Sequence, residues 1–144
     1  MCLRIKPLTK ALKALTGPLT AYKVLRVYND WNSGRRRLTS LFQTDYHWKA
    51  GRNKARHADV KTLRPGTTIG SGFIHCYLKK SDAEKRTHGR DNRRLVTVRI
   101  SPRDFRYYGR HESMGTKEVA VRAAYLTRAE YRAAMARPKA PATY

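Results

Sequence analysis

The sharpest pattern along the chain lies in Arg94 to Ser101, RLVTVRIS, where Leu95, Thr97, Arg99 and Ser101 point one way and Val96, Val98 and Ile100 the other. A period of two marks a half-buried β-strand, because successive side chains leave opposite faces of the pleat. Pro102 ends it, having no amide hydrogen to give a ladder. Three further segments read as strands, being rich in β-branched and aromatic residues. They are Thr20 to Tyr28 (TAYKVLRVY, interrupted by Lys23 and Arg26), Phe73 to Leu78 (FIHCYL) and Glu118 to Leu126 (EVAVRAAYL). Tyr46 to Gly51 suggests a shorter strand, and Asp104 to Gly109, DFRYYG, a strand edge or tight loop.

Helical spacing is weaker. Leu8, Leu12 and Leu15 recur at that period with Lys6, Lys10 and Lys13 on other faces, which predicts a short amphipathic stretch ended by Gly17-Pro18. Ser81 followed by Glu84, and Thr127 followed by Glu130, have capping-box spacing and predict two more short helices, the second running to about Ala136. Turn residues gather at Asn29 to Gly34, at Gly66 to Gly72 and at His111 to Lys117, and the basic run from Arg52 to Gly66 reads as a long loop. The expected fold is α+β: a small mixed or antiparallel sheet of four to six strands with two or three short helices. A basic amphipathic arm over 1–17 precedes one domain over 18–136, and the Pro- and Ala-rich tail 137–144 is expected to be disordered.

A length of 144 residues, 40% of them hydrophobic, is enough for one domain with a true core. Charge changes the picture more. Lys and Arg number 32 against 10 Asp and Glu, a formal net charge of +22. Small soluble domains usually carry a net magnitude of about 2–8. Such a surface repels itself when bare and attracts polyanions. DNA, RNA, an acidic protein surface and an anionic membrane are the candidate partners. No stretch has the apolar run of a signal peptide or of a membrane span, so a reducing cytoplasm is the expected setting.

The basic residues fall into two series. Arg35, Arg36, Arg37, Lys49, Arg52, Lys54, Arg56, Lys61 and Arg64 fill the middle third; Arg86, Arg90, Arg93, Arg94, Arg99, Arg103, Arg106 and Arg110 follow. Guanidinium groups suit phosphate and stack on bases. Aromatics interleave at Tyr46, Trp48, Phe105, Tyr107 and Tyr108. A basic groove with aromatic platforms is the chemistry of RNA or single-strand contact. The expected nucleic-acid-binding residues are Arg35, Arg36, Arg37, Lys49, Arg52, Lys54, Arg56, Arg99, Arg103, Arg106 and Arg110, with Trp48, Tyr107 and Tyr108 as platforms. No helix-turn-helix, zinc-finger or RNP signature assigns a docking mode.

Taken together, several segments resemble a functionally uncharacterised family of small proteins encoded by phages and prophages. They are Met1-Cys2-Leu3, Tyr22 to Leu25 (YKVL), Tyr46 to Gly51, Gly72 to Tyr77 with Ala83, Val96 to Ile100, and Tyr107-Tyr108-Gly109. One departure is Ile74, which separates Phe73 from His75 where the family pattern has Phe and His adjacent. The insertion is either a bulge or a one-residue slip that moves His75 to the other face of its strand. The resemblance implies a phage origin and a host-cell cytoplasmic setting.

Other readings attach to particular residues. His47, His57, His75, Cys76, His88 and His111 are scattered without metal-ligand spacing, so no metal or other cofactor is expected. Cys76 reads as a small buried hydrophobe. Removal of Met1 would leave Cys2 as an N-terminal nucleophile, though no orienting partner is evident. Arg26, Ser71 to His75 and Glu118 loosely echo the order of groups in ADP-ribosyltransferases, but residue 116, where a second glutamate would stand, is Thr. A non-enzymatic nucleic-acid binder is the leading expectation; a modulator that binds an acidic host protein and an ADP-ribosyltransferase-like enzyme are the alternatives.

Overall fold

The computed structural model describes residues 3–30, 32–41, 46–56, 65–66, 68–69 and 72–136. Among these residues eleven strands join in one sheet: β1 (Leu3–Lys6), β2 (Leu19–Asp30), β3 (Arg35–Ser40), β4 (His47–Trp48), β5 (Gly51–Lys54), β6 (Thr68–Ile69), β7 (Ile74–Tyr77), β8 (Arg93–Ile100), β9 (Phe105–His111), β10 (Lys117–Val121) and β11 (Ala123–Leu126). Every pairing is antiparallel. Three short helices accompany them: α1 (Lys10–Lys13), α2 (Lys80–Thr87) and α3 (Arg128–Met135). The α+β class agrees with the pattern of the sequence. The sheet is about twice as large as the four to six strands expected, because strands of two to four residues carry too little alternation to read.

The long strand β2 is the pivot. One of its edges pairs with β8 from Leu19↔Ile100 to Arg26↔Arg93. The other meets β7 only at Tyr22↔Tyr77 and, from Leu25 onward, pairs with β3. The sheet therefore forks, one branch running β7-β10-β9-β1-β6 and the other β3-β4. Where β2 leaves β7, Lys23 Nζ donates to the His75 carbonyl at 2.8 Å, in place of a strand amide. A charged residue that interrupts the strand pattern of the sequence thus closes the fork.

The chain also steps across the sheet at Arg122. β10 lies between β7 and β9, whereas β11, one residue later, lies between β5 and β8. Arg122 N donates to the Asp104 carbonyl and Ala55 N donates to the Arg122 carbonyl, both at 2.7 Å, so the step leaves neither backbone group orphaned. EVAVRAAYL, which reads as one strand, is for this reason two.

The main core gathers Leu25, Leu38, Trp48, Cys76, Val96, Val98, Ile100, Val119, Val121 and Leu126, with Ala134 of α3. The predicted inward face of β8 is observed: Val96, Val98 and Ile100 are all fully buried. Thr127 Oγ1 accepts from Glu130 N, so α3 begins where its capping spacing placed it. The Glu130 carboxylate does not fold back on that cap; its Oε2 accepts from Thr97 N of β8 at 3.3 Å.

Several expectations are corrected. The segment 1–17 is not an arm apart from the domain, since β1 inserts between β9 and β6 and buries Leu3 and Ile5 by strand alternation. The helix in that segment is only Lys10–Lys13, capped by Thr9 and without a buried residue. Ser81 lies inside α2, whose N-cap is Lys79 and has no side-chain hydrogen bond. Tyr46 to Gly51 is broken at Lys49-Ala50, and the start of the supposed loop after it is β5. From Phe105 the segment DFRYYG is the interior strand β9, with Asp104 in the 3-10 turn before it, and Gly109 shows why: a Cβ there would sit 2.1 Å from the Arg4 carbonyl oxygen, so only glycine lets β1 approach. The tail 137–144 lies outside the described residues, as do Cys2, His57, Lys61, Arg64 and Ser71.

Candidate nucleic-acid interface

Strand register distributes the arginine triplet over two faces. Arg35 and Arg37 stand opposite Asp30 and Tyr28, while Arg36, opposite Asn29, points to the other side. Arg35 is exposed; Arg36 and Arg37 are half-buried, and neither Nε of the pair has a hydrogen-bond partner among the described residues. Arg26 lies on the face of Arg35 and Arg37, two residues before Tyr28, and directly opposite it on β8 is Arg93. Like charges directly opposite in an antiparallel pair destabilise it. The stripe Arg93, Arg26, Arg37 and Arg35, with Tyr28 among them, is one basic face.

A cleft of about 160 Å³ opens at its end, lined by Arg26, Leu41, Arg90, Asn92 and Arg93. The turn after α2 builds it. Gly89 takes a positive φ of 71°, Arg90 N donates to Thr87 O at 3.1 Å, and Arg93 N donates to Arg90 O at 3.2 Å. Val27 N donates to Asn92 O at 2.8 Å, which pins the turn to β2. One amino group of Arg93 donates to the Arg86 carbonyl at 2.8 Å. The Nε of Arg26 is buried without a partner among the described residues. Asp91 stands in the same turn, exposed, and does not line the cleft.

Two further rows carry charge. Arg110 has Arg4 on one side and Lys117 on the other. On the opposite part of the sheet Tyr125, half-exposed at 50%, lies between Arg52 and Arg99. Tyr125 is the open aromatic ring flanked by arginines that the sequence reading missed. Its signal was an aromatic between Ala124 and Leu126, both of which point inward.

The remaining expected residues divide. Lys49, Lys54, Arg56, Arg99, Arg103 and Arg110 are exposed, and the Arg56 guanidinium lies 6.0 Å from the centre of the Tyr46 ring. Arg106 donates to the carbonyls of Arg103 and Phe105, each at 2.9 Å. Arg52 is held by Asp104 at 2.7 Å in an ion pair. Trp48 and Tyr108 are corrected as platforms: both are core, 2% and 6% exposed, and the Trp48 indole donates to Ser40 Oγ at 2.9 Å. Tyr107 is half-buried and packs edge-on against Phe73, with ring centres 5.7 Å apart.

A buried polar group lies away from these faces. Glu118, 1% exposed, accepts from Thr116 Oγ1 at 2.8 Å, and its other oxygen has no partner among the described residues. Burial pushes its carboxyl above the ordinary range, against the opposing pull of the Thr116 hydroxyl, Lys23 and Arg86. Burial likewise lowers Lys23, which Cys76 and Glu118 draw back upward. It pushes the Cys76 thiol up to about 12, with Lys23 opposing, so Cys76 is an un-ionised core side chain. His111 Nδ1 accepts from the amides of Ser113 and Met114, each at 3.2 Å, which fixes the neutral ring as its Nε2–H tautomer.

Arg26 and Glu118 are not brought together. Glu118 shares a row with Tyr77 and Tyr22, and Arg26 lies four residues, about 13 Å, further along β2. Among the described residues no three His, Cys, Asp or Glu side chains gather as a metal site. No helix among them is long and apolar enough to cross a membrane. No family model, curated protein or solved structure gave a significant match to this chain.

Proposed function

We propose that the protein binds single-stranded nucleic acid, RNA or DNA, through its arginine rows, as a binding protein and not as an enzyme. The observation that carries this reading is the set of cross-strand cation rows, Arg26–Arg93 and Arg4–Arg110–Lys117. Placing like charges side by side costs folding free energy, and a bound polyanion returns it. Tyr125 between Arg99 and Arg52 supplies a ring on which a base stacks while the backbone runs over the guanidinium groups. The resemblance to phage-encoded proteins adds a host-cell cytoplasmic setting to the proposal.

The test is a titration of fluorescent single-stranded RNA and DNA oligonucleotides over a series of salt concentrations. Log K should fall linearly with log salt, with a slope of about −0.7 per phosphate contacted. Tyr125→Ala should weaken binding by about 1–3 kcal/mol and leave that slope unchanged, because stacking releases no counterions. Absence of binding at low salt would sink the proposal, and tight capture of acidic proteins instead would favour the host-protein reading.

A further inference from the structure

We infer that the cleft between the α2–β8 turn and β2 is a seat for a single phosphate group, held by Arg26, Arg90 and Arg93 with the Asn92 side chain beside them. The inference rests on reading the arginine faces as phosphate-binding surfaces. It goes further by naming one concave site and its ligand chemistry.

Three arginines line this cleft, and no carboxylate of the described residues does. Arg26 and Arg93 are forced together by register, each being the other's cross-strand neighbour. Their repulsion has no ion pair to relieve it among the described residues. Arg26 also holds a buried Nε–H without an acceptor there. A buried donor left unmade is costly, and a tetrahedral oxyanion supplies acceptors to several guanidinium forks at once. The site is preorganised. The Val27–Asn92 bond fixes the turn against β2, and the Arg93–Arg86 bond holds one side of the Arg93 fork while leaving its other donors for a ligand. Leu41 completes the lining. Two sources share this chemistry, the diester of a nucleic-acid backbone and the monoester or free phosphate of a nucleotide.

The experiment uses the full chain. Unfolding is followed in inorganic phosphate and in chloride at matched ionic strength, for wild type, Arg90→Gln and Arg128→Gln. Arg90 is exposed on the turn, so its loss should leave the fold intact; Arg128 is an exposed arginine of α3 that does not line the cleft. At phosphate about ten times its Kd, the unfolding constant of wild type and Arg128→Gln should fall about elevenfold. Arg90→Gln should lose most of that fall. Chemical-shift change at the Arg26 Nε–H on phosphate addition, absent with chloride, should accompany it. An equal phosphate effect in all three proteins, with no shift at Arg26, would overturn the seat and leave only the general exclusion of phosphate from protein surfaces. Dimethyl phosphate gives the second arm: binding comparable to inorganic phosphate supports the backbone diester, and binding of inorganic phosphate alone supports a monoester. Oligonucleotide titration separates this inference from the broader reading. A chain that binds no oligonucleotide yet keeps the Arg90-dependent phosphate effect loses the nucleic-acid function and retains the seat.

Discussion

Glu118 shows at the residue scale what burial does to a group the sequence presents as an ordinary surface acid. It follows Lys117 and precedes Val119, and nothing in that string marks it as enclosed. Only the rows of β7, β9 and β10 bring it opposite Tyr77 and Gly109. Its raised carboxyl holds a proton in the folded chain to a higher pH than in the unfolded chain. The folded state then binds more protons than the unfolded state between the ordinary carboxylate range and the raised value, so stability falls as pH rises through that window. Glu118→Gln keeps an acceptor for the Thr116 hydroxyl and removes the ionisation. Denaturant midpoints of the two proteins over a pH series should show wild type losing stability relative to the variant across the window, then a constant difference above it. A difference independent of pH would mean that burial does not perturb the carboxyl.

Among the elements, the turn between β4 and β5 depends on one side chain. Asn53, 3% exposed, accepts from Lys49 N at 3.0 Å and donates to the carbonyls of Lys49 at 2.9 Å and Gly51 at 3.1 Å. Gly51 takes a positive φ of 104°, a conformation that a Cβ would strain. Asn53→Ala should destabilise the chain by about 2 kcal/mol, since three modest hydrogen bonds go and two carbonyls are left without their donor. A urea midpoint within error of wild type would show that water replaces the amide fully. This element was illegible because a clamp of this kind has no period; Thr127, by contrast, was legible as a cap because capping is local to four residues.

For the whole molecule the decisive quantity is the net charge of +22. Repulsion among exposed cations is screened as the Debye length falls from about 10 Å at 0.1 M salt to about 3 Å at 1 M. In the absence of any polyanion, sodium chloride should therefore raise the melting temperature across that range, whereas the proposed oligonucleotide binding should weaken over it. A melting temperature that is flat or falls with salt would show that the cation rows do not strain the folded state.

The sequence alone determined the class of fold, the inward face of β8, the start of α3 and the net charge. Each depends on nearest neighbours or on totals: strand alternation, a four-residue cap, a sum of charges. Tertiary structure decided which arginines act together. Arg35, Arg36 and Arg37 are adjacent in the chain yet fall on two faces, while Arg26 lines one cleft with Arg90 and Arg93, which lie far along the chain from it. It also enclosed Trp48 and Tyr108 and left Tyr125 open. The reason is the fork at β2 and the step at Arg122: strand pairing between distant segments sets which side chains share a face, and no local pattern encodes that pairing.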